Sequence, residues 1–328
     1  MNLASCLREI GRGGAHSLAS DAAAQLYAAI LDGGVPELEL GAILMALRMR
    51  GETSEELFGF LSAAEARIHA LTPPASGFAE NVRVVVLSSY NGARKSANLT
   101  PLLALLLRRF GVPVLVHGLL EGFGRVTSAQ VFRELGILPA GTQAEAQQQL
   151  DQGLAFVPLP ALSPALAGQL LLRVRLGVRN CAHSLVKMLN PVRGKATLVV
   201  AATHPATLEK IREVLTNKGE TALLMRATEG EPFANLLRRP RMELLCEGEA
   251  RILFEAEHDS LKTLPWLPEN ASAPATAAWI GKVLDDHLPL PLPLANQLVC
   301  LLYASGLTRD LNEARALVSL EQRVRVSA

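Results

Sequence analysis

The stretch that most constrains this chain begins just after a proline-rich crossing at residues 71–77 (LTPPASG). Residues 82–87 (VRVVVL) form a compact β-branched run of the kind buried on both faces of a sheet. A polar loop over 88–96, a helical stretch over 101–110 and a second apolar strand over 112–117 follow. Strand, helix and strand packed this closely fit a parallel βαβ unit, because parallel neighbours need a crossover between them. Such a sheet must be covered on both faces, so the chain reads as α/β.

The flanking segments have a different texture. Residues 22–31 read as a helix that Ser20 and Asp21 can cap and Gly33 and Gly34 stop. Pro36 opens a second helix, which carries Leu40, Ile43, Leu44 and Leu47 on one face. Thr53 and Glu56 form a capping box for a third. Three such amphipathic helices need a partner surface. Beyond the βαβ unit, residues 142–153 read as a polar helix or a surface loop. Ser163 and Pro164 start a helix to about residue 178, and another covers 182–189 before Asn190 and Pro191. Strands are expected at 197–201 and 221–225 around a helix at 204–218. An antiparallel pair is expected at 242–246 and 251–255, and the last 55 residues are helical.

Composition narrows the function classes. The 328 residues carry a formal charge of +1, with 49% hydrophobic, 19% charged and 4% aromatic residues. That is ample for a core and argues against disorder. The four cysteines, Cys6, Cys181, Cys246 and Cys300, form no C-x-x-C pair, so a zinc ribbon is not expected, and reduced thiols in a cytoplasmic protein are. Neither a signal sequence nor a membrane span is expected.

The small net charge hides its distribution. Residues 81–120 hold five basic residues (Arg83, Arg94, Lys95, Arg108 and Arg109) and no acid. Residues 152–208 hold six (Arg173, Arg175, Arg179, Lys187, Arg193 and Lys195), again with no acid. The rest sets 21 bases against all 31 acids. If the two windows meet in space, they form a positive surface on a near-neutral protein. Arg94 and Lys95 lie in a loop between a buried strand and a helix, where α/β proteins place ligands. Arg108 and Arg109 suit a helix C-terminus.

Residues 179–191 (RNCAHSLVKMLNP) resemble the R-T-x-F-N-x-L-G-P-L-x-N-P segment of anthranilate phosphoribosyltransferases. The order of elements is similar too, over essentially the whole chain. The resemblance implies a small all-helical domain plus a larger α/β domain with a mostly parallel central sheet. The helical domain would comprise residues 1–70 with helices from about 162–192, and the α/β domain residues 78–161 and 193–328. Dimers through the helical domain are usual in that family, so a homodimer is implied.

Three stretches carry that family's chemistry, and all three are altered. The glycine-rich G-T-G-G-D loop, whose backbone amides cradle pyrophosphate, is replaced by Ser88-Ser-Tyr-Asn-Gly-Ala-Arg-Lys95. Only Gly92 remains; Tyr90 and Asn91 are expected to obstruct close approach. The phosphate-binding K-H-G-N-R reads Val116-His117-Gly118-Leu119-Leu120. The magnesium-binding H-G-x-D-G-x-D-E reads Arg226-Ala-Thr-Glu229-Gly-Glu231-Pro-Phe233, and Pro232 and Phe233 cannot ligate a hard cation. Glu229 and Glu231 are expected to form surface pairs near Arg226. Val186-Lys187 replaces the family's Gly-Pro, and His183 stands where Asn is usual. With Leu236-Leu-Arg-Arg-Pro-Arg241 and the T-E-G-E-P-x-A motif at 228–234, the chain resembles the YbiB-type branch, whose members bind nucleic acid.

The resulting expectation is a non-catalytic cytoplasmic homodimer with neither cofactor nor metal, which binds DNA, with RNA as a second candidate, without sequence preference. Its candidate contacts are Arg94, Lys95, Arg173, Arg175, Arg179, Lys187, Arg193, Lys195, Arg238, Arg239 and Arg241. Lys187, Arg193 and Lys195 flank one turn and are expected exposed and close together. Arg173 and Arg175 are two apart and face different ways on a helix. Arg179 suits either an acceptor-substrate contact or an ion pair. Glu243, Glu247 and Glu249 compete for Arg238, Arg239 and Arg241. His117 and His204 suit core or capping roles, and few aromatics disfavour base stacking. Two alternatives stay open: a phosphoribosyltransferase or nucleoside phosphorylase with an altered donor site, and a scaffold using its helical domain for protein contacts.

Overall fold

The computed structural model of the chain describes residues 3–12, 16–226, 228–257, 266–268 and 270–324. Four helices open it: α1 (Leu3–Gly11), α2 (Ser20–Leu31), α3 (Glu37–Arg50) and α4 (Ser54–Glu65). The α/β part continues with β1 (Val84–Ser89), α5 (Thr100–Arg109), β2 (Val114–Gly118), α6 (Ser128–Glu134), α7 (Gln143–Asp151) and β3 (Leu154–Pro158). Three helices then lead back towards the helical domain: α8 (Leu159–Leu162), α9 (Pro164–Leu176) and α10 (Ala182–Met188). The rest is β4 (Ala196–Ala202), α11 (Pro205–Lys218), β5 (Ala222–Arg226), β6 (Met242–Cys246), β7 (Glu249–Phe254), α12 (Ala273–Leu284), α13 (Leu292–Ala304) and α14 (Leu311–Val324).

A small helical domain thus stands on an α/β domain with a mostly parallel sheet. The sheet order is β3-β2-β1-β4-β5-β6-β7, parallel through β5 and antiparallel beyond. The strands alternate between two cores, as a pleat requires. Val84 and Val86 of β1 face one core; Val85 and Leu87 face the other. The first core is continuous with the helical domain: Leu26, Phe60 and Leu61 share it with Leu185 and Val186 of α10 and with Leu198 and Val200 of β4. The second lies under α5, α6, α12 and α13. Each fully buried Val, Leu or Phe contributes about 1.5–3 kcal/mol of transfer free energy, which is why neither face can be left bare.

The chain runs outward from β1 through β2 to β3, then restarts at β4 on β1's other side. The strand order therefore reverses between β1 and β4, and a crevice opens at their C-terminal ends. This crevice positions the candidate site. Some elements differ from expectation. Helix α1, α6 and strand β3 were not expected; β3 ends at Pro158, and proline within an apolar run argues against a strand except at a sheet edge, where β3 lies. Residues 143–151 are helical, capped by Thr142. Ser20 does not cap α2: it is the first helical residue, and its amide donates to Glu55.

Candidate nucleic-acid interface

The C-terminal ends of β1 and β4 bring the two acid-free windows together. The last turn of α9 carries Arg173, α10 begins just past Arg179, and the loop after β1 carries Arg94 and Lys95. Burial and the guanidiniums of Arg173, Arg125 and Arg48 all hold the Arg179 pKa below its ordinary value. Cations from four segments therefore crowd one mouth. Arg48, Arg173 and Arg179 have no ion pair among the described residues. Arg173 stacks over Phe123, 5.7 Å from the ring centre. Phe123 is 60% exposed and sits in the left-handed region at φ 50° between Gly122 and Gly124. This apolar ring is thus held outward, in a conformation unfavourable for a bulky residue, beside Arg173 at the rim of the crevice.

Lys187 closes the floor. Its Nζ donates to Ala201 O at 3.0 Å and Gly230 O at 3.3 Å. Burial pushes its pKa down to about 8, the Glu231 carboxylate raises it, and Arg179 lowers it further. This corrects the expectation that Lys187 shares an exposed surface with Arg193 and Lys195. Lys187 reaches the end of β4, whereas Lys195 immediately precedes its start. Five residue rises of strand, about 16 Å, carry the chain from Ala196 to Ala201. Arg193 and Lys195 are exposed at the opposite, N-terminal end of β4, where Arg193 N donates to Leu71 O. His183, beside the cluster, is pushed down to about 4 by burial and by Arg179, Arg173 and Lys187.

The remaining candidates lie elsewhere. Arg175 points away from Arg173, as their spacing requires, and pairs with Glu37 on α3 at 3.1 Å. Arg238, Arg239 and Arg241 line a separate pocket of about 330 Å³ with Arg212 and Arg226. There Arg239 pairs with Glu257 and lies over Phe254, and Arg241 reaches Glu243 at 3.6 Å. Arg238 is exposed. Two cations of the mouth escaped the sequence reading. Arg125 lies four residues from Glu121, outside both windows, and Arg48 is one basic residue among several in the amphipathic pattern of α3. Only tertiary packing at the crevice could reveal them.

The altered motifs are not where expected. Tyr90 does not obstruct the loop; its ring turns inward, and its hydroxyl meets His117 Nδ1 at 2.7 Å. His117 is fully buried, which pushes its pKa down to about 3. Glu229 and Glu231 are not surface pairs with Arg226. Glu231 is buried and accepts from the amides of Asn91 and Gly92, both at 2.8 Å, and from the Ser89 hydroxyl. Glu229 accepts from the amides of Arg94, Lys95 and Ser96 and from Arg125. Carboxylates wrapped in N–H donors are in surroundings of the wrong sign for a cation, so these residues do not fit the family's magnesium. Among the described residues, no group of three or more His, Cys, Asp or Glu stands together as a metal site, and no helix is long and apolar enough to cross a membrane.

Comparison with known proteins matches this architecture. Residues 4–67 fit the helical bundle domain of a glycosyl transferase family. The chain is 40% identical over 323 residues to the uncharacterized protein YbiB of Escherichia coli (strain K12), across 97% of this chain and 99% of that one. It is 26% identical to the anthranilate phosphoribosyltransferase of Bradyrhizobium diazoefficiens over 92% and 89% of the two chains. The crystal structure of anthranilate phosphoribosyltransferase from Thermus thermophilus shares the fold, with a TM-score of 0.77 over 95% and 93% of the chains at 24% identity. The chain belongs to the same family as YbiB and has the anthranilate phosphoribosyltransferase fold.

Proposed function

We propose that the chain is a non-catalytic nucleic-acid-binding protein that holds the phosphate backbone of DNA, and of RNA, across the mouth of the β1–β4 crevice. The observation that carries this reading is the convergence of Arg173 and Arg179, with Arg48 beside them, on one mouth, where none of the three forms an ion pair among the described residues. Unpaired guanidiniums side by side repel one another, and a polyanion relieves that repulsion while releasing its own counterions. Arg94 and Lys95, exposed on the loop after β1, extend the surface. Because the contacts are cationic and Phe123 is the sole aromatic among the large exposed apolar side chains described, binding is sequence-neutral. The absence of catalysis is supported by Glu229 and Glu231, which occupy the loop where the family holds its donor.

The test is a fluorescence-anisotropy titration of labelled DNA across a salt series. Wild type should bind at low salt, and Arg173→Gln/Arg179→Gln should flatten the slope of log K against log salt by about 1.8, at about 0.9 per duplex phosphate contact. The loss should be uniform across sequences. Wild type that fails to bind at low salt would end this reading.

We further propose that two copies pair through the helical domain. Leu38 of α3 and Leu171 and Val174 of α9 are exposed by 82%, 59% and 68%, and the Arg175–Glu37 pair joins the helices that carry them. Together they form an apolar face of the kind that protein contacts cover.

A further inference from the structure

We infer that the 228–231 turn is an internal anion: its two carboxylates fill an oxyanion cradle that is otherwise complete and would take inorganic pyrophosphate or phosphate if the turn were disarmed. The cradle is the segment from Ser89 to Thr100. Of its six consecutive amides from Asn91 to Ser96, five donate to carboxylate oxygens of Glu229 or Glu231. The sixth, Ala93, instead bonds Val126 O at 2.9 Å. The hydroxyls of Ser89, Ser96 and Thr100 and the guanidinium of Arg125 add to these donors. Successive amides turned to one side by a left-handed residue, here Gly92 at φ 65°, form an anion-binding concavity.

Two features separate the cradle from its occupant. First, the loop is held by contacts that do not involve the carboxylates. Ala93 and Val126 exchange both backbone bonds, and the Asn98 side chain bonds Val126 O and the Thr100 amide. The concavity should therefore persist when the turn is changed. Second, the turn is built for insertion. Both of its central residues have positive φ, Glu229 at 54° and Gly230 at 93°. Glutamate seldom adopts that conformation, so the donors it meets are what hold it there. A Cβ on Gly230 would overlap the Asn91 carboxamide, so only glycine lets the turn approach this closely. Lys187 donates to Gly230 O and pins the turn from the opposite side.

This inference shares the Glu229 and Glu231 contacts with the non-catalytic half of the proposed function, but its test does not depend on nucleic-acid binding, since the ligand is a small oxyanion. Thermal unfolding of wild type, Glu231→Ala and Glu229→Ala/Glu231→Ala is followed with sodium pyrophosphate or sodium phosphate against sodium chloride of equal ionic strength. The variants should melt below wild type in chloride and rise by about 3 °C or more in pyrophosphate, while wild type stays put. Phosphorus NMR should show the pyrophosphate resonance broadened by the variants alone. If Glu231→Ala does not fold, Glu229→Ala serves the same comparison with phosphate, because that carboxylate is only half-buried and solvent can replace it. Folded variants that respond no more than wild type, or wild type that responds equally, would overturn the inference.

Discussion

At the residue scale, the buried histidines set a pH dependence. His117 and His183 titrate near 3 and 4 in the folded chain against an ordinary value of 6.5. The unfolded chain therefore takes up protons below pH 6.5 that the folded chain refuses. Stability is full above 6.5 and falls as pH drops towards 4, with a slope approaching about 1.4 kcal/mol per pH unit for each histidine. Urea denaturation across that range should show this, and His117→Gln should flatten the curve by about half. Lys187 carries a different lesson. Its sequence neighbours suggested exposure, yet the lysine stem spans the end of β4 and its charge meets two carbonyls. A local sequence window fixes the direction of a backbone, but the length of a lysine lets distant strands decide where its charge lies.

At the element scale, the best-read feature is the start of α4. The capping box of Thr53 and Glu56 is present with both reciprocal bonds. It was legible because it is local, needing only four consecutive residues. Its second role was not legible. The Glu56 carboxylate is buried, and it also binds Arg50 and the amide of Leu18, 38 residues away. Thr53→Ala should therefore cost about 1 kcal/mol, whereas Glu56→Ala should cost about 3–5 kcal/mol by stranding Arg50. Equal losses in denaturant titrations would show that Glu56 serves only as a cap. The strands of the parallel sheet were legible for a similar reason, as apolar runs long enough to mark burial on both faces. Strand β3 is as long as β2 and β5 but runs straight into Pro158 and Pro160, a breaker signal that suits its place at the sheet edge, and its position beside β2 is settled by pairing, which no window contains.

At the scale of the whole molecule, charge and assembly are the open variables. A protein of net charge +1 binds a polyanion only if its cations are gathered, and the reversal of strand order between β1 and β4 gathers them. Dimer formation through α3 and α9 would double the mouths without adding net charge of consequence. Leu171→Glu/Val174→Glu places two carboxylates on that face and should yield a monomer in sedimentation velocity. It should leave the circular dichroism spectrum unchanged, because both side chains are exposed. A wild type that already sediments as a monomer would remove the dimer from the picture.

The class of fold, the family resemblance and the loss of that family's three motifs can all be read along the chain, because each is written in contiguous residues whose periodicity or identity survives without a partner. Which cations converge, and what became of the lost motifs, depends instead on how the elements pack in space. Arg48 and Arg125 join the mouth, Arg193 and Lys195 lie at the N-terminal end of β4, and Glu229 and Glu231 turn inward to fill the loop after β1. The physical reason is common to all of them. Electrostatic and hydrogen-bonding partners are chosen by distance in space, and residues that lie far apart in a chain become neighbours only when sheets and crossovers bring them together.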